Sequence, residues 1–180
     1  MRYLLIADLG GATSVLSGKF FEETLMKFII PQALQSEHEV LHERLRRATQ
    51  AGGEVGEAAK AVARLMRPHF AKEDEFALPP LGLLGALARG EVSAEMAAVL
   101  QSTDRLEAEL PQMREEHRRI VDALRKLSAA AARANLDDVV AFAAALVEHA
   151  QIEETVMYPA AILVGQVVRQ RLAIRGGALA

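Results

Sequence analysis

Five histidines and two glutamates stand at spacings that can do chemistry. His38 and His42 lie in "HEVLH", His69 precedes Glu73 by four residues, His117 follows "EE", and His149 precedes Glu153 by four. On a helix, H-E-x-x-H is the spacing of zinc peptidases: two imidazoles hold the ion and the intervening Glu activates water. H-x-x-x-E likewise puts an imidazole and a carboxylate on one helical face. Alone, each motif is weak, since an isolated pair of this kind is usually a solvated surface pair.

An internal repeat changes that weighting. "SEHEVLHERLRRA" followed by "HFAKEDEFALPPLG" matches "EEHRRIVDALRKL" followed by "HAQIEETVMYPAAILVG". The step from His38 to His69 is 31 residues and that from His117 to His149 is 32. Two helix pairs related by an approximate two-fold, joined near residues 82–95, account for it. All five histidines of the chain fall in this pattern. Their faces also carry apolar residues: Leu65, Met66, Phe70 and Phe76 in one half, Phe142, Leu146, Ile152 and Val156 in the other. Polar groups buried without partners are costly, so imidazoles and carboxylates on several core faces must satisfy one another, and a metal does this.

Cysteine is absent. That excludes disulfides, thiolate zinc sites and cysteine-ligated clusters, leaving nitrogen and carboxylate donors suited to iron, manganese or zinc. Seven donors, His38, His42, His69, Glu73, His117, His149 and Glu153, are too many for one ion and suit two. With both Glu bridging and one oxo or hydroxo bridge, two octahedral ions keep a single open position. In the repeat, Val121 takes the place of His42. The expectation is therefore that His38, His42 and His69 serve one ion, that His117 and His149 serve the other, and that Val121 lines the open position. Glu37, Glu116, Glu148 and Glu154 adjoin these donors as candidate supports, and Tyr158 lies close enough in sequence to reach the site.

Such residues must be held by helices. The chain is rich in Ala and Leu, with no Trp and two Tyr, a composition that favours helix over sheet. A helix is expected from Pro31 to "AGG" at 51–53. A second runs from about Glu54 to Leu78, kinked at Pro68, and a third to about Asn135, with a bend or restart at Pro111. A fourth is capped by Asn135 and runs to Tyr158. Ser93 is a candidate cap in the connecting turn. The expected fold is all-α, an up-and-down antiparallel four-helix bundle over residues 31–165. An N-terminal arm over 1–30 and a helical tail over 166–180 flank it. The net charge of −3 and the lack of a like-charge block argue against nucleic acid. No signal peptide or membrane-length apolar run is legible, so the expected location is cytoplasmic.

The constellation resembles the hemerythrin-like proteins with an HHE cation-binding domain, over about residues 32–165. The resemblance is carried by E-H at His38, H-x-x-x-E at His69 and Glu73, E-H at His117, and H-x-x-x-E-E ending in Y-P at His149 and Glu153. It implies an oxo- or hydroxo-bridged centre of two Fe ions and a role in binding or sensing dioxygen, rather than an enzyme. Related roles are iron handling and response to nitric oxide or peroxide, including iron–sulfur cluster repair. The chain departs from the oxygen-carrying members, which place H-x-x-x-H on the third helix; here it is on the first, and the second carboxylate is Glu153 at i+4. A zinc peptidase built on "HEVLH" would leave both H-x-x-x-E pairs and His117 without purpose. A ferritin-like carboxylate site needs two Glu-x-x-His motifs, and only Glu39/His42 fits.

Overall fold

The computed structural model describes residues 29–177, so the expected N-terminal arm lies almost wholly outside the described residues. Four helices form an antiparallel bundle: α1 (Gln32–Thr49), α2 (Gly53–Lys72), α4 (Val99–Arg133) and α5 (Asp137–Ile152). Each packs on its two neighbours around the ring, α1 on α2, α2 on α4, α4 on α5 and α5 on α1, as up-and-down topology requires. A short α3 (Leu84–Ala88) lies in the crossover between the halves. The last helix, α6 (Tyr158–Gly177), continues the chain beyond α5. There is no strand among the described residues.

Helix ends reflect local chemistry. α1 stops before Gly52 and Gly53, whose φ of 73° and 52° only glycine adopts at little cost. Asn135, expected as an N-cap of the fourth helix, instead takes the left-handed conformation (φ 55°) that closes α4, and Leu136 caps α5. Asn tolerates that conformation better than most residues. Pro111 neither bends nor restarts the chain enough to divide it, since α4 runs unbroken through 35 residues. Both Pro111 and Pro68 sit on solvent-facing sides of their helices, where the released carbonyls can bond water.

Two features were not legible in the motifs. At Glu73–Ala77 and again at Glu153–Met157 the chain makes one π-helical turn. Both begin at the Glu of an H-x-x-x-E motif, and such turns recur at functional sites. The widened turn also shifts the facing of the residues within and after it, so Val156, expected inside, is exposed and Tyr158 is buried in its stead, while Ile152, also expected inside, is already exposed at the end of α5. Pro159 then falls at the start of α6, where a missing N–H costs little.

The core divides into apolar clusters above and below the histidines. One holds Leu41, Phe70, Ile120 and Leu146; the other holds Phe76, Leu106, Met113 and Tyr158. A third, with Leu83, Val99, Val164 and Val168, fastens the crossover and α4 to α6. No helix among the described residues is long and apolar enough to cross a membrane.

Candidate metal centre

Between the two apolar clusters lie six buried polar side chains: His38, His69, Glu73, His117, His149 and Glu153. They come from all four bundle helices and both π turns. Their donor atoms form two groups, His69, Glu73, His117 and Glu153 in one and His38, His149 and Glu153 in the other. Glu153 belongs to both. Its Oε2 lies 3.3 Å from His117 Nε2, and its Oε1 lies 3.0 Å from His149 Nε2 and 3.6 Å from His38 Nε2.

The pairing differs from the expectation drawn from the repeat. His69 faces His117 across the bundle, Nε2 to Nε2 at 2.7 Å, and His38 faces His149 at 3.2 Å. Antiparallel neighbours bring together α2 with α4 and α5 with α1, so each pair mixes the two repeats. His42 joins neither group. Its side chain is exposed and its ring packs on Phe70 with centroids 4.1 Å apart. Partial burial and the nearby His38 hold its pKa below the ordinary value. Val121 is half-buried at the wall of a cleft that reaches His117.

Carboxylates fix the outer nitrogen of the rings. Glu116 Oε2 is 2.9 Å from His69 Nδ1, Glu154 Oε1 is 2.9 Å from His117 Nδ1, and Glu37 Oε1 is 3.2 Å from His149 Nδ1. Asp74 stands 3.9 Å from His38 Nδ1 and is largely exposed. Each of these acids adjoins a buried residue of the site in sequence, so the helix that supplies one side chain steadies a ring from another. Of the acids singled out from the sequence, Glu37, Glu116 and Glu154 take this place. Asp74 was not singled out, although the repeat places it where the other half has Glu154. Glu116 is further held by Lys72 Nζ at 2.7 Å and Gln112 Nε2 at 3.0 Å. Burial alone would raise its pKa, but His69 and Lys72 bring it to about 2.

These contacts decide what the inner nitrogens can be. With each Nδ1–H donating to its carboxylate, the Nε2 atoms of His69 and His117 are both lone-pair acceptors, 2.7 Å apart. Such a pair is unfavourable unless a cation sits between or beside the nitrogens. Protons fill that role in the metal-free chain: burial opposes the charge, yet Glu153 and Glu73 raise His117 to about 10, and Glu153 raises His149 to about 9. Two carboxylate oxygens, Glu73 Oε2 and Glu153 Oε1, are fully buried and lack a hydrogen bond, the latter despite its 3.0 Å approach to His149. Four inward imidazoles and two underused carboxylates suit hard or borderline divalent cations. Tyr158, buried and stacked on His117, donates to Glu73 Oε1 at 2.6 Å. Burial, with Glu73 beside it, pushes its pKa well above the ordinary phenol.

A family model for the hemerythrin HHE cation-binding domain matches residues 30–161. The chain belongs to that family. The match spans the bundle, both π turns and every buried residue of the site. None of the curated proteins or solved structures compared with this hemerythrin-family chain matches it.

Proposed function

We propose that this hemerythrin-family protein holds two iron ions and binds or senses a small ligand, dioxygen or nitric oxide, at one of them. The observation that carries the reading is the facing pair of Nε2 atoms on His69 and His117, with both outer nitrogens already committed to carboxylates. The donor set supports two ions rather than one, because Glu153 offers one oxygen to each group and Glu73 keeps Oε2 free. His69, His117 and Glu73 would serve one ion, His38 and His149 the other, with Glu153 bridging. His42, expected as a seventh donor, stands outside this set.

Iron bound there would supply a redox couple and a position for a small ligand. The chain's own residues prepare for this in three ways. Glu116, Glu154 and Glu37 lock the rings and raise their basicity as ligands. Tyr158 orients Glu73 and keeps its own proton at any ordinary pH. The apolar clusters on either side, with Phe70 against His38 at 5.0 Å, exclude bulk water and strengthen each interaction inside.

The test is the optical spectrum of the iron-loaded, reduced protein before and after exposure to air, and separately to nitric oxide under anaerobic conditions. New absorption with either gas is expected. A spectrum indifferent to both would overturn small-ligand binding.

A further inference from the structure

Two surface clefts occupy equivalent places in the repeat. One, of about 450 Å³, opens between α1 and α2 and is lined in part by His42, Leu45, Met66 and Phe70. The other, of about 360 Å³, opens between α4 and α5 and is lined in part by His117, Val121, Ala150, Gln151 and Glu154. In repeat register His42 corresponds to Val121. Phe70, next to His69, corresponds to Ala150, next to His149.

That last substitution changes the floor. In the α1–α2 cleft the Phe70 ring contacts His42 on one side and His38 on the other, with centroids 4.1 and 5.0 Å away. None of the four buried histidines lines that cleft. In the α4–α5 cleft the equivalent side chain is a single methyl, and His117 itself forms part of the floor. The Arg118 and Arg125 side chains at this cleft are already paired with Glu115 and Asp122, so its wall offers a small anion little uncompensated charge.

We infer that the α4–α5 cleft is the access route for a small neutral diatomic ligand, with Ala150 and Val121 setting its width, and that Phe70 closes the equivalent route. The inference rests on the proposed metal centre for its cargo; the difference between the clefts is independent of it.

The chain has no Trp and two Tyr, so Tyr3→Phe leaves Tyr158, stacked on His117, as the single tyrosine reporter. In metal-free protein of that background, Ala150→Phe should cut acrylamide quenching of Tyr158 severalfold, as for a step that comes to need an opening motion. In iron-loaded protein, Ala150→Phe should slow nitric oxide association and dissociation together and leave equilibrium affinity unchanged. In the same iron-loaded state the double variant with Phe70→Ala should recover nitric oxide association through the α1–α2 cleft. A folded Ala150→Phe protein with unaltered quenching and unaltered rates would overturn the route. So would slowing confined to one rate, which signals a changed site rather than a narrowed path. If Ala150→Phe does not fold, Val121→Phe narrows the same cleft and is read in the same way. Protein that takes up no iron would defeat the metal-centre reading, while the quenching series would still decide the route.

Discussion

Glu116 and Asp74 do the same geometric task with unequal grip. Glu116 lies 2.9 Å from His69 Nδ1 and is itself clamped by Lys72, whereas Asp74 is 3.9 Å from His38 and open to water. Removing an acid that orients a metal-ligating histidine typically costs 10–100-fold in affinity, so Glu116→Gln should lower iron affinity by about that factor. Asp74→Asn should lower it far less. Competition with a calibrated chelator measures both, and equal losses would mean that the outer carboxylates do not act through geometry. At the same scale, His42→Ala should leave two irons per chain, because His42 packs on Phe70 outside both donor groups. Loss of one iron in that variant would return His42 to the ligand set.

α6 packs tightly on α4 at Gly165. A Cβ placed on Gly165 would lie 2.2 Å from Thr103 Oγ1 and 2.7 Å from Thr103 Cβ. Gly165→Ala should therefore destabilise the protein by about 1–3 kcal/mol in urea unfolding, the usual range for overpacking a tight core. Adding Thr103→Ala, which removes the hydroxyl and methyl but keeps Cβ, should recover part of the loss. Additive losses would mean the two side chains do not meet. Much at this scale was legible in the sequence. Alternation of apolar stripes gave four helices, and four-residue spacing put His69 with Glu73 and His149 with Glu153. What spacing along one chain does not contain is which histidines face each other, because that depends on the order of helices around the bundle. The π turns were hidden for a related reason. A single extra residue in a turn leaves the pattern helical while rotating Val156 outward and Tyr158 inward.

Taken as one molecule, the protein carries its charge balance at its centre. In the metal-free state, imidazolium at His117 and His149 neutralises Glu153, and the folded pKa values of about 10 and about 9 lie above the ordinary 6.5. A raised folded pKa contributes stability that is fully present below pH 6.5 and is lost as pH rises through the folded values. The metal-free chain should thus lose thermal stability steadily between about pH 7 and pH 10. The metal-loaded chain should not, since the ions replace those protons. Thermal midpoints of both forms across that range test it; parallel profiles would mean that the metal does not occupy this cluster. Metal binding should also release protons into a weakly buffered solution. The most direct test of the two-iron centre is an anaerobic titration of metal-free protein with ferrous iron, followed by metal analysis after gel filtration. Two irons retained per chain are expected. Retention of no iron, or of only one per chain, would contradict the centre.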